Sequence, residues 1–161
     1  MSPSLSGPEL KARAEIDAAL SAAGWIVQDR EAMNLSAGRG VAVREFKLTT
    51  GHGFVDYLLF ADGKAVGVLE AKPESHTLSG VEVQAAKYAT GLPPGLNPPV
   101  EPLPFLYLST GAITKFTNLL DPDPAEPSYL SRAPAGNTGR VARRRYPRHL
   151  GQGGGPLHRR R

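Results

Sequence analysis

A chain of 161 residues, 40% hydrophobic and 21% charged, has room for one folded domain and a tail. The absence of cysteine excludes disulfides, thiolate zinc sites and cysteine nucleophiles, and with four scattered histidines (His52, His76, His149, His158) any metal is left to oxygen ligands. No apolar run approaches the ~18 residues of a membrane span, the N-terminus MSPSLSGPEL lacks a basic-then-apolar leader, and the net charge of +4 is modest, so a cytoplasmic chain with no membrane contact is expected.

In chain order, Pro8 to Ala23 predicts a helix: Pro8 suits a first helical turn, Leu10, Ile16, Leu20 and Ala23 sit near helical spacing, and Gly24 stops it. Trp25-Ile26-Val27 starts a short extended piece. Residues 29–42 read as a loop, with Asn34, Ser36, Gly38 and Gly40 as breakers. Val41 to Leu48 alternates imperfectly and predicts a strand. Phe54 to Phe60 and Ala65 to Leu69 are apolar runs around Asp62-Gly63, a strong hairpin signal. Ser79 to Thr90 predicts a second helix, ended by Gly91 and Pro93-Pro94. A Pro-rich connection over 91–104 leads to strands at Phe105 to Leu108 and Ile113 to Thr117. The order predicts an α/β (or α+β) domain: a mixed central sheet flanked by helices.

The charge is split along the chain. Residues 1–126 hold all 15 acids against ten Lys and Arg, a net −5. Residues 127–161 hold nine Arg and no acid, with six Gly and four Pro. That composition buries too little apolar surface to offset ordering entropy. A domain over 8–124 and a disordered tail over 125–161 are therefore expected. The arginines suit a nucleic-acid-binding arm, and equally a segment never selected to fold or bind.

Asp56, Glu70 and Lys72 are the residues where chemistry is expected. Asp56 lies inside Phe54-Val55-Asp56-Tyr57-Leu58-Leu59-Phe60, and Glu70 ends Ala65-Val66-Gly67-Val68-Leu69. Strands this apolar are buried on both faces, and a carboxylate there needs compensation. An odd number of residues in the connection, as in a three-residue loop with Gly in the left-handed position, would set both acids and Lys72 on one face; a two-residue turn would separate the acids. Two carboxylates aimed at one point either share a proton or hold a cation. Oxygen ligands suit Mg²⁺ or Mn²⁺, with the Ala71 carbonyl as a further ligand and the Lys72 ammonium beside the ion. Such a set suits phosphodiester hydrolysis. A hairpin ending in solvated charges would contain the same residues.

Asp56 followed by Glu70-Ala71-Lys72 resembles the PD-(D/E)xK nuclease motif, and Gln84-Ala85-Ala86-Lys87-Tyr88 resembles the Q-x-x-x-Y element of one subgroup. With the segments from Ala32 to Glu45, Gly51-His52-Gly53 and Leu103 to Tyr107, residues 8–124 look like the N-terminal nuclease domain of the restriction (R) subunit of type I restriction enzymes. The resemblance implies a restriction-endonuclease-like core and a Mg²⁺-dependent DNA endonuclease. Asp56 and Glu70 would bind the metal and Lys72 would act on water or phosphate. Gln84 and Tyr88, one helical turn apart, would engage DNA or the catalytic strands. DNA and the modification and specificity subunits would be partners. Arg39 is a candidate phosphate contact and Glu45 an outside candidate for the site. Family members continue into an ATP-driven motor; this sequence has no G-x-x-x-x-G-K-[ST] loop and hence no ATP site. A truncated subunit is implied, and with it the alternative of a catalytically silent nuclease-fold remnant that binds nucleic acid or another subunit.

Overall fold

A computed structural model describes residues 7–75, 78, 91–96, 98–121 and 128–131. Helix α1 (Gly7–Ala22) is followed by strand β1 (Ile26–Asp29), a short 3-10 turn (Arg30–Ala32) and strands β2 (Gly40–Lys47), β3 (Phe54–Ala61), β4 (Lys64–Ala71), β5 (Phe105–Ser109), β6 (Ile113–Asn118) and β7 (Ser128–Ser131). The seven strands form one sheet in sequence order. β1 with β2 and β4 with β5 are parallel, and the other neighbours are antiparallel, so the mixed sheet expected from the sequence is present. The helix expected over Ser79 to Thr90, with Gln84 and Tyr88, lies outside the described residues, as does most of the Arg-rich segment. β7 falls beyond the boundary expected at 124: Ser128-Tyr129-Leu130-Ser131 pairs with β6. Tyr129 is its β-favouring residue, and the Arg, Gly and Pro run that follows masked it in the composition.

α1 meets the sheet through Ala12, Ile16 and Leu20, one residue per turn. Leu10, expected on the apolar stripe, is instead exposed. On the helix side, Ile16 and Leu20 join Ala42, Tyr57, Leu59 and Leu69. A second cluster contains Val41, Val43, Phe46, Val55, Leu58, Phe60, Val68, Leu103 and Leu106. β3 and β4 contribute to both, which is why they read as near-continuous apolar runs. Each large side chain so buried contributes about 1.5–3 kcal/mol.

Two irregularities place the later site. Ala61 pairs with Lys64, so the hairpin turn is two residues, Asp62-Gly63. Both have positive φ (48° and 76°), the pattern of a type I′ turn. Of the two connections the sequence left open this is the two-residue one, and a plain ladder from such a turn would misalign Asp56 and Glu70. The ladder is not plain: Phe60 pairs with Ala65 but Leu59 pairs with Gly67. Val66 is the extra residue of a β-bulge. From there Tyr57 pairs with Leu69, and one step further Asp56 comes level with Glu70. The odd residue sits in the strand rather than in the turn.

The second irregularity interrupts strand alternation. Val43 and Phe46 of β2 are three residues apart yet share one cluster, as do Val55 and Leu58 of β3. The pairs Arg44–Tyr57 and Phe46–Val55 bracket the step at which Glu45 and Asp56 face each other. Glu45 there has φ 47°, a conformation that costs a non-glycine residue about 1–3 kcal/mol. The imperfect alternation of Val41 to Leu48 is the trace of this kink.

Candidate active site at the ends of β3 and β4

The bulge and the kink bring Glu45, Asp56 and Glu70 level across β2, β3 and β4. Asp56 is fixed at both oxygens. Its Oδ2 accepts the Ala71 backbone N–H at 2.8 Å, and its Oδ1 accepts Arg13 Nη2 at 2.8 Å. Arg13 projects from α1, and its Nη1 donates to Glu45 Oε1 at 2.5 Å. Burial opposes the guanidinium charge, but the hydrogen bond to Glu45 and the Asp56 carboxylate outweigh it and raise the Arg13 pKa.

Glu70 is 7% exposed. Its Oε1 accepts Lys72 Nζ at 3.0 Å. Its Oε2 is buried and, among the described residues, meets no hydrogen-bond donor. Burial first, then the negative charge of Asp56, pushes the Glu70 carboxyl up to about 7, partly offset by Lys72. Burial, and after it the repulsion between the two acids, favours a proton retained on Glu70 near neutrality. A cavity of about 50 Å³ opens beside them, lined by Glu9, Ala12, Arg13, Asp56, Ala71 and Lys72.

The donor set fits a hard divalent cation. The side chains of Asp56 and Glu70 offer carboxylate oxygens, one of them buried and, among the described residues, without a hydrogen-bond partner. No cluster of three or more acid or histidine side chains suited to a metal occurs among the described residues. Mg²⁺ is commonly bound through one or two carboxylates with water and substrate phosphate completing the shell, so two acids suffice.

Of the residues singled out in the sequence, Asp56, Glu70 and Lys72 are brought together, and Ala71 lies between them. Glu45 joins the group through Arg13. Arg39 does not: it is paired with Asp62 at 3.2 Å beside the hairpin turn, six residues and about 20 Å of strand from Asp56. Arg13 is the member that sequence reasoning missed. The available signal was the helical spacing of Glu9, Arg13 and Asp17, a polar stripe flanking the buried Ala12, Ile16 and Leu20. Asp17 uses it as well, accepting Arg44 Nη2 and the Tyr57 hydroxyl, each at 2.8 Å.

Residues 28–97 match the model of the family described as the type I restriction enzyme EcoKI endonuclease subunit second domain. Over that segment the chain is similar to type I restriction endonuclease subunits. No curated protein and no solved structure gave a match. The matched restriction-endonuclease segment contains β2, β3 and β4, hence Glu45, Asp56, Glu70 and Lys72, and it also spans Gln84 and Tyr88. Arg13 and α1 precede it. The mixed sheet with its covering helix is compatible with a restriction-endonuclease-like fold.

Proposed function

We propose that the chain is a Mg²⁺-dependent DNA endonuclease domain of a type I restriction enzyme R subunit, hydrolysing phosphodiesters. The observation that carries the reading is the convergence of Asp56 and Glu70, with Glu70 Oε2 buried and, among the described residues, unpartnered beside Lys72. Asp56, Glu70 and the Ala71 carbonyl would hold Mg²⁺, or Mn²⁺ in its place. When bound, the ion supplies Lewis acidity toward the phosphodiester and toward water. Asp56, held at both oxygens, keeps its carboxylate turned to the cavity. Glu70 would serve as a ligand in its ionised form. Lys72, which lines the cavity, would orient the water and neutralise charge growing on a phosphate oxygen. A bond from water oxygen to phosphorus would form as a phosphorus–ester oxygen bond breaks, the attacking water losing one proton to solvent and the leaving oxygen taking one up to depart as a hydroxyl. Gln84 and Tyr88 are proposed to support the site from the segment that follows. Kinship with a restriction subunit makes DNA and the modification and specificity subunits the proposed partners in a cytoplasmic complex.

The test is nicking of supercoiled DNA by the full chain in Mg²⁺. Asp56→Asn, Glu70→Gln and Lys72→Met are each expected to lower the rate by at least about 100-fold, and chelation is expected to abolish it. Equal cleavage by wild type and Asp56→Asn would refute the assignment. Absence of cleavage by the wild type, with DNA binding retained, would favour a silent binding module.

A further inference from the structure

The Arg13 fork has a geometry that a simple tether between helix and sheet does not need. One branch ends on Glu45 of β2 and the other on Asp56 of β3, two acids at the same ladder step. The side chain is only 13% exposed. Glu45 is kept in a left-handed backbone conformation at that step, which turns it toward the helix instead of along the strand. Asp56 would otherwise be secured by the Ala71 N–H alone, which holds one oxygen and leaves the carboxylate free to rotate. The second contact removes that freedom and leaves the Oδ2 edge directed to β4 and Glu70.

We propose that Arg13, anchored by Glu45, is a positioning residue that fixes the Asp56 carboxylate in the orientation needed to share a divalent cation with Glu70. The inference rests on the metal-binding reading of Asp56 and Glu70 given above. It makes α1, which lies outside the matched family segment, part of the cation site. It also reverses the sign expected from charge. A guanidinium 2.8 Å from Asp56 repels a cation, so removing it would by Coulomb's law alone tighten metal binding. Loss of positioning weakens it, and partners that orient metal ligands typically contribute 10–100-fold in affinity.

The experiment is a calorimetric titration of the full chain with Mn²⁺, accompanied by thermal unfolding. Arg13→Met is expected to bind Mn²⁺ about 10–100-fold more weakly than wild type. Arg13→Lys is expected to fall short of wild type, because one ammonium cannot span both acids as a planar fork does. Glu45→Gln, which keeps the arginine and loosens its anchor, is expected to shift affinity in the same direction by a smaller factor. Asp17→Asn is the comparison for a purely structural role. It breaks another α1-to-sheet ion pair, with Arg44, and is expected to lower the melting temperature while leaving Mn²⁺ affinity unchanged. Unchanged or tighter binding by Arg13→Met and Glu45→Gln would overturn the proposal, as would an equal loss of affinity in Asp17→Asn. Failure of wild type to bind Mn²⁺ would instead remove the underlying metal reading, and this inference with it.

Discussion

Glu70 is where burial, charge and chemistry meet. A carboxyl pushed to about 7 in the folded chain and near 4.3 in an unfolded one binds more protons folded than unfolded between those values. Stability of the metal-free protein therefore falls as pH rises through that window. At about 1.36 kcal/mol per unit the loss is on the order of 4 kcal/mol at most, and the neighbouring Lys72 limits it. Urea unfolding in chelator at pH 5 and pH 8 should show the decline. Glu70→Gln should flatten it, because the amide has no proton to lose; an unchanged slope would place the titration elsewhere. A divalent cation should reverse the decline above pH 7 by stabilising the ionised pair. The grouping of Asp56, Glu70 and Lys72 was legible in the sequence because a carboxylate inside an apolar run needs compensation. Arg13 was not, since a charged residue on an amphipathic helix is ordinarily solvated. Nor was the strain at Glu45, because glutamate has no preference for positive φ that a reader could detect.

At the scale of the elements, the hairpin of β3 and β4 was legible from two apolar runs around Asp62-Gly63, but its parity was not. Turn length can be guessed from turn chemistry. A bulge at Val66 has no comparable signature, since it arises from the fit of β4 between two neighbours. Gly67 is the clue beside it. A Cβ at Gly67 would stand 2.4 Å from the Phe105 carbonyl oxygen and 2.8 Å from its Cβ, so the glycine lets β5 close against β4. Gly67→Ala must push those strands apart. A loss of about 1–3 kcal/mol is expected, read as a lower urea midpoint at unchanged slope. Because Glu70 pairs with Leu108 further along the same ladder, the substitution should also weaken Mn²⁺ binding. A variant as stable as wild type would mean that β5 does not depend on this close approach.

The whole molecule sets a problem that neither the residues nor the strands solve. A nuclease must hold a polyanion, yet residues 1–126 carry a net −5 and the site adds Glu45, Asp56 and Glu70 on neighbouring strands. Specific grip on DNA generally needs basic surface, and in this chain the excess of positive charge is the nine arginines after residue 126. Their contribution is sequence-independent and carried by counterion release, so it must vanish with salt. Replacing Arg143, Arg144, Arg145, Arg159, Arg160 and Arg161 by Gln changes the formal charge of the full chain from +4 to −2. The log–log salt dependence of duplex binding should become shallower by up to about five units, and affinity at low salt should fall steeply. Mn²⁺ affinity at Asp56 and Glu70 should stay unchanged, since the substitutions touch no ligand. If DNA binding survives them with the same salt slope, the grip comes from the folded sheet despite its charge. If binding disappears while metal affinity and nicking at very low salt persist, then chemistry and grip occupy separate parts of the chain.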